Sequence, residues 1–286
     1  SPRDGEVIIE TEASSISTGT EKLFWSGDMP PFPGMGYPLV PGYETVGRVV
    51  WAEPGSELLG SRVFVPGAHG FETMRSLFGG AASRLVAPAD KLYEIGELPK
   101  EEALLLSLAA TAYHAIESGD FPDLIVGFGP LGRLLFRIAR ALGAAAPTVW
   151  ENNPARQEAE GIVALTAETD SVRDYRQVYD ASGDDRILDR LVSGLARGGT
   201  LTLAGFYTER LSFAFAPAFQ KEARFRISAE WRPDDLLAVQ RLVDSGRLSL
   251  AGLASHSLPW TEASLAYRTA FTDPDCLKMI LDWETS

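Results

Sequence analysis

Three glycines, Gly127, Gly129 and Gly132, stand in the run D-L-I-V-G-F-G-P-L-G-R-L-L. In that spacing the first allows a tight turn, the second lets backbone approach a pyrophosphate, and the third lets a helix pack closely on a strand. Pro130 suits the first turn of a helix, where its missing N–H costs nothing. The N–H groups left open there, that of Leu131 among them, face an anion. The spacing alone is a weak signal; the apolar stretch 123–126 before it and the helical spacing of 131–141 after it make it a strong one. A second apolar stretch ends at Glu151, 19 residues beyond Gly132. A carboxylate there accepts hydrogen bonds from both ribose hydroxyls and repels a 2′-phosphate, so NAD is the expected cofactor, with Arg156 nearby as the one opposing charge. Ser182 and Gly183 follow one later strand, and Gly205, Phe206 and Tyr207 follow another. Ligands of open α/β sheets lie at the carboxyl ends of strands, so these positions are expected to wall a nicotinamide. The plainer alternatives are a ligand-free turn, a surface acid and ordinary loop residues.

The elements that must position these residues fall into two kinds. Up to residue 100 the chain reads as strand and loop: strands at 6–12, 44–51, 62–65 and 82–87, a Pro- and Gly-rich loop over 26–47, and no strong helix. From residue 101 strands and helices alternate: a helix over 101–118, strands at 123–126, 147–151, 162–165, 177–182 and 199–206, and a helix over 131–141. A further strand over 224–231 carries Phe225, Ile227, Ala229 and Trp231 on one face and polar residues on the other, which predicts a half-exposed strand. Such alternation implies a parallel sheet with right-handed crossovers. Past Leu248 come short strands and one helix, over 261–269. The expected division is 1–105, 106–245 and a return over 246–286.

The 286 residues suit two domains, and the 45% hydrophobic content supplies a full core. Lys and Arg number 26 against 39 Asp and Glu, a net charge of −13, which disfavours nucleic acid and anionic membrane surfaces. A lone cysteine, Cys276, rules out an internal disulfide and a Cys-rich zinc lobe. The expectation is a cytoplasmic protein without a membrane span: the longest uncharged helical run, 103–116, has 14 residues and carries Ser, Thr, Tyr and His, where a span takes about 20 apolar ones. The sequence starts at Ser1 with no basic-plus-apolar signal pattern.

The order of a β-rich segment, a G-x-G-P-L-G domain and a β-rich return resembles the medium-chain dehydrogenase/reductase family. The segments SSISTGTEKLFWSG, MPPFPGMGYPLVPGYETVGRVV, LFGGAASRLV, VYDASGD, LAGFY, LSFAFAPAF and AYRTAFTDPDCLKMILDW resemble its branch in bacteriochlorophyll biosynthesis, over essentially the whole chain. The resemblance implies an α/β protein in which a doubly wound Rossmann sheet is joined to a GroES-like partial barrel, with substrate in the cleft between them. It implies NAD-dependent oxidation of the 3-(1-hydroxyethyl) group of a tetrapyrrole, a chlorophyllide or bacteriochlorophyllide, to 3-acetyl. It also implies a homodimer formed through the last strand of the nucleotide domain, and an N-terminal strand ahead of Ser1.

Zinc members of the family hold their catalytic metal with Cys, His and Cys. Those positions fall here at Thr18, Tyr43 and Ser107, so a metal-independent chemistry is expected. The resemblance places Thr20 at the hydroxyl that relays the alcohol's proton. Tyr43, at the former ligand position, is a candidate to hydrogen-bond the substrate oxygen, and Glu44 lies beside it. Thr111 and Lys278 match cofactor-contacting positions. Tyr43 as a packed ring, Thr20 as a turn residue and Lys278 as a surface lysine are the alternatives. His114 is read as structural, and His69 and His256 carry no assignment. Phe32, Met35 and Tyr37, in the proline-rich loop, suit a flat wall for a macrocycle; the alternative is a rigid connector. Phe213, Phe215 and Phe219 suit either the same cleft or a dimer face. A zinc-free NADPH quinone or enoyl reductase and a non-catalytic pigment carrier are the competing functions.

Overall fold

The computed structural model describes residues 2–69, 71, 74–75 and 78–284; Leu77 of the quoted segments lies outside them. The chain divides into two units, Ser1–Ser107 with Leu250–Ser286, and Leu108–Ser249.

In the first unit β1 (Glu6–Ile16), α1 (Thr20–Ser26), β2 (Thr45–Trp51), β3 (Arg62–Val65), β4 (Arg84–Pro88) and β5 (Tyr93–Glu94) precede α2 (Lys100–Ala103). α3 (Leu106–Glu117) carries the chain into the second unit. β1 is the axis of this sheet. It pairs antiparallel with β2 along one side, and on the other with β4 over its first half. Val7, Ile9, Val49, Val63, Val65 and Leu85 pack beneath it as one buried cluster.

Two expectations are corrected here. The absence of helix before residue 101 fails at α1, which the turn Ser17–Thr20 starts and Gly27 ends: the Gly27 N–H bonds Leu23 O at 3.0 Å with φ +83°, a left-handed closure that favours glycine. Seven residues flanked by glycines offer too little apolar periodicity to be read as a helix. The single helix over 101–118 is two pieces, because Leu105 N–H bonds Glu102 O at 3.0 Å and tightens the turn. Ala103, Leu104, Leu105 and Leu106 are all fully buried there, so packing overrides helical propensity.

In the second unit β6 (Leu124–Val126), α4 (Pro130–Ala141), β7 (Thr148–Trp150), α5 (Pro154–Gln157), β8 (Glu158–Ala159) and β9 (Ile162–Val163) come first. β10 (Tyr175–Asp180), α6 (Leu188–Gly194), β11 (Leu195–Leu203), α7 (Phe215–Lys221), β12 (Arg224–Ile227) and α8 (Pro233–Asp244) follow. Five parallel strands lie in the order β12-β11-β10-β6-β7. The order reverses between β6 and β10, which opens a crevice at their carboxyl ends. The expected strand over 162–165 is not a full sheet member. β9 folds back on β8 through a turn with Glu160 at φ +55° and Gly161 at φ +74°, and only Leu165 bridges to Trp150. The last strand stops at Ile227 rather than Trp231 and is exposed on its apolar face, Phe225 by 38% and Ile227 by 76%.

The chain then returns to the first unit with β13 (His256–Pro259), α9 (Ala263–Thr272) and β14 (Met279–Asp282). β14 pairs antiparallel with the second half of β1, Ile16 opposite Met279. Ile16, Ala266, Ala270, Met279 and Leu281 bury against one another. No described helix is long and apolar enough to cross a membrane.

Candidate active site

The register of the first sheet explains its polar centre. β2 begins opposite Ser14, and β14 begins opposite Ile16, so residues 44 and 278 flank the end of β1 from opposite sides. There the Lys278 ammonium meets Glu44 Oε2 in an ion pair whose side chains are 4% and 1% exposed. Ser15 Oγ donates to the same oxygen at 2.5 Å, and Glu44 Oε1 is buried without a hydrogen-bond partner among the described residues. Lys278, expected at a pyrophosphate, thus has its ammonium engaged by Glu44. A buried ion pair is weak evidence for stability, but breaking it on one side leaves a bare charge. Lys278→Met is therefore expected to lower unfolding free energy by about 3–5 kcal/mol, while Glu44→Gln combined with Lys278→Met recovers much of the loss. Urea midpoints of the two variants check this; a single variant as stable as the parent contradicts it.

Tyr43 and Thr20 come together beside this pair. The Tyr43 hydroxyl donates to Ser17 Oγ at 2.5 Å and is within hydrogen-bonding reach of the Thr20 side chain. Its ring meets Phe78 edge-on at 5.2 Å. Burial, then the Glu44 charge, hold the phenol well above its usual range despite the Ser17 and Thr20 hydrogen bonds. Tyr43 is thus a neutral hydroxyl near pH 7, able to orient an oxygen and pass a proton on. Thr18, Tyr43 and Ser107 offer only hydroxyl oxygens, with neither thiolate nor imidazole among them. No cluster of three or more His, Cys, Asp or Glu suited to a metal occurs among the described residues.

Glu21, next to Thr20, belongs to the same centre, and sequence reasoning missed it. It is 3% exposed. The Ser17 N–H donates to its Oε1 at 3.2 Å and Tyr267 Oη, from α9, to its Oε2 at 3.0 Å. Burial pushes its pKa up to about 7 against those two hydrogen bonds. The adjacency T-E in T-G-T-E-K was a signal; nothing in the sequence joins Tyr267 to it.

In the second unit the Gly127–Gly132 turn has the predicted form. Gly127 sits at φ +87°, and its N–H bonds Trp150 O at 2.8 Å. A Cβ on Gly132 would lie 1.9 Å from the Gly127 carbonyl oxygen, so only glycine lets α4 start this close to β6. At Gly129, the residue before α4, an added Cβ would meet only Arg156 Nη1, at 3.7 Å. That open face, with Leu131 N–H in the first turn, fits a pyrophosphate. Glu151 is tied to the turn itself: Phe128 N–H and Asn153 N–H each donate to one of its oxygens at 2.7 Å. Each oxygen keeps a lone pair for a ribose hydroxyl.

The loops after β10 and β11 close on the same crevice. A Cβ on Gly127 would come within 3.0 Å of Ser182 backbone, and one on Gly205 within 3.0 Å of Gly183 N. Asp180, fully buried and unforeseen, organises them. Its Oδ1 accepts from Ser182 N–H at 2.9 Å and Ser182 Oγ at 2.6 Å, and its Oδ2 from Tyr207 Oη at 2.7 Å. The D-x-S pattern after a strand is an Asx-turn signal that could have revealed it. The Ser182 and Tyr207 hydroxyls are thus both engaged by Asp180, and Phe206 is 56% exposed. Thr111 is half-buried on α3. His114, expected to be structural, has its Nδ1 2.9 Å from Asp235 Oδ2 at the start of α8.

The family model for the alcohol dehydrogenase GroES-like domain matches residues 3–97. The chain is 54% identical to the 2-desacetyl-2-hydroxyethyl bacteriochlorophyllide A dehydrogenase of Cereibacter sphaeroides, over 100% of this chain and 92% of the relative. It is 55% identical to the protein of the same name in Rhodobacter capsulatus, over 99% and 92%. Among solved structures, an alcohol dehydrogenase of Escherichia coli CFT073 complexed with NADH superposes with a TM-score of 0.84 at 19% identity, over 99% of this chain and 93% of that one. At that identity the likeness is one of fold.

Proposed function

The chain belongs to the medium-chain dehydrogenase/reductase family, and from that premise we propose that it oxidises the 3-(1-hydroxyethyl) group of a chlorophyllide or bacteriochlorophyllide to 3-acetyl, with NAD⁺ as acceptor and without zinc. The substrate class follows the names of the two relatives. One feature of this chain supports the dinucleotide: the glycine turn whose open face at Gly129 is held beside the anchored Glu151 carboxylate. The dinucleotide, when bound, supplies the acceptor for the hydride leaving the carbinol carbon.

The chain's own groups handle the oxygen. Tyr43 Oη accepts the alcohol's hydrogen bond while donating to Ser17, and Thr20 stands within reach to share it. Glu44, held by Lys278 and Ser15, keeps negative charge next to the hydroxyl that must take up a proton. General acid–base help of this kind is worth about 10²–10⁴-fold. A soft zinc site does not fit three hydroxyl side chains. For the pigment, Trp25, Phe32 and Tyr37 present exposed rings on or just after α1, with Trp25 stacked on Tyr267 at 5.6 Å. They suit one face of a flat macrocycle. Pairing of two chains through β12 is supported by its position at the sheet edge and by exposed Phe225 and Ile227.

Purified chain, NAD⁺ and hydroxyethyl pigment are expected to give NADH and a shift of the pigment's red band. Pigment binding with neither product favours a carrier, and activity with NADPH on a quinone or enoyl substrate favours a reductase. Glu151→Gln is expected to weaken NAD⁺ binding by about 10–100-fold, the worth of hydrogen bonds to a charged group. It should narrow the preference over NADP⁺, since Arg156 remains beside Gly129. Steady-state KM values for both coenzymes check this, and an unchanged preference contradicts the role of Glu151.

A further inference from the structure

A dinucleotide brings a diphosphate with two negative charges to a chain whose own net charge is −13, so its binding calls for fixed positive charge close by. The N-terminus of α4 offers about half an elementary charge. The Lys278 ammonium is engaged by Glu44 in the first unit. Two arginines of the second unit stand at the glycine turn instead.

Arg156 arrives from α5. Asn153 caps that short helix, its Oδ1 accepting from Ala155 N–H at 3.0 Å, and Arg156 N–H bonds Asn153 O at 2.9 Å. The Gln157 side-chain amide donates to Glu151 O at 2.8 Å, which folds α5 back against the end of β7. The guanidinium is thereby carried to Gly129, where its Nη1 lies 3.7 Å from the position a Cβ would take. That is the open face at which backbone can approach a diphosphate. Arg133 arrives from the first turn of α4. Side chains of a helix lean toward its N-terminus, and this one folds back over the turn. Its Nε donates to Phe128 O at 3.1 Å, and its guanidinium carbon lies 5.4 Å from the centre of the Phe128 ring. With Nε so fixed, its two terminal amino groups keep N–H donors for an anion.

The charges around Arg133 leave these two cations unbalanced. They are Glu160, Arg137, Arg156 and Glu151. Arg137 and Glu160 bond each other twice, both at 2.8 Å, and cancel. Of these groups only Glu151 then faces the two remaining guanidiniums, and each of its oxygens already takes a backbone N–H. Burial holds the Arg133 guanidinium below its usual range, with Arg137 and Arg156 adding to the effect and Glu160 and Glu151 opposing it. An anion bound by both arginines relieves that repulsion. We propose that Arg156 and Arg133 hold the diphosphate of the dinucleotide, Arg156 over the open face of Gly129 and Arg133 from the start of α4. This rests on the dinucleotide reading given above and names the cations that reading needs.

NADH fluorescence measures binding to the purified chain directly. Its displacement compares ADP-ribose, which carries the diphosphate, with adenosine, which carries none. Arg156→Gln and Arg133→Gln each weaken ADP-ribose by about 10–100-fold, the worth of hydrogen bonds to charged groups, and leave adenosine unchanged. Arg156→Lys and Arg133→Lys, which keep the charge, recover part of the loss. Added KCl weakens ADP-ribose binding to the parent by screening, and the slope flattens when both arginines are replaced by Gln. Arg197→Gln, which removes an exposed cation at the start of β11, is the control and changes none of these. ADP-ribose held as tightly by either Gln variant as by the parent overturns the assignment of that arginine. An equal loss of adenosine overturns it too, as the mark of a ribose contact or a disturbed turn, and so does a loss confined to NADPH, the mark of a 2′-phosphate contact. A parent chain that binds neither NADH nor ADP-ribose overturns the dinucleotide reading itself, whereas tight binding that ignores the arginines overturns only their role.

Discussion

Gly132→Ala abolishes dinucleotide binding at any practical concentration, with the affinity for NADH reduced by well over about 100-fold. The added methyl carbon would stand 1.9 Å from the Gly127 carbonyl oxygen and 2.9 Å from its carbon. Both are backbone atoms, so no side chain can swing aside. Either α4 slides away from β6 or the turn at Gly127 opens, and overpacking of this kind costs about 1–3 kcal/mol in stability alone. The affinity loss follows because the proposed anion site consists of backbone N–H groups whose directions the turn fixes. Titration of NADH fluorescence measures it. Gly194→Ala serves as the control, since a Cβ there meets nothing within 4 Å and needs no left-handed backbone. Unaltered affinity in Gly132→Ala would remove the turn from the site.

Tyr43→Phe lowers kcat for alcohol oxidation by about 10²–10⁴-fold and changes coenzyme affinity little. The ring keeps its edge contact with Phe78, so the fold is retained, and what disappears is the hydroxyl proposed to stand between the substrate oxygen and Ser17. The loss should fall on kcat more than on KM, because the hydrogen bond strengthens as the oxygen gives up its proton. Pre-steady-state NADH formation separates the chemical step from product release. A variant whose chemical step runs at the parental rate would return Tyr43 to the status of a packed ring.

Much of this architecture can be read along the chain, and the residues show why the rest cannot. Gly127, Gly129 and Gly132 announce themselves because each is required by backbone geometry within one short run. Glu151 is legible for the same reason: its distance from the turn is set by one helix and one strand. The polar centre of the first unit is different. Glu44 and Lys278 are far apart in sequence and meet only through the registers of β2 and β14 on β1. Tyr267 reaches Glu21 across an even longer separation. Such pairings are set by tertiary register, and no local pattern encodes them. Lys278 illustrates the consequence: as a basic residue in a tail motif it suggests a phosphate contact, whereas β14 seats it against Glu44. The short α1 escapes notice because hydrogen bonds to Ser17 and Leu23 define it rather than an apolar stripe. The strand expected over 162–165 rests on its apolar residues, while the turn at Glu160–Gly161 decides its pairing.

The proposed chemistry is hydride transfer to a dinucleotide gripped by the glycine turn, with hydroxyl side chains and no transition metal managing the oxygen. The most direct test is a single turnover by protein stripped with a strong chelator and verified metal-free by elemental analysis, using hydroxyethyl pigment deuterated at the carbinol carbon. One equivalent of acetyl pigment and one of deuterated NADH per active site are expected, at the rate of untreated protein. Loss of turnover on stripping, restored by one equivalent of zinc, would contradict the proposed chemistry.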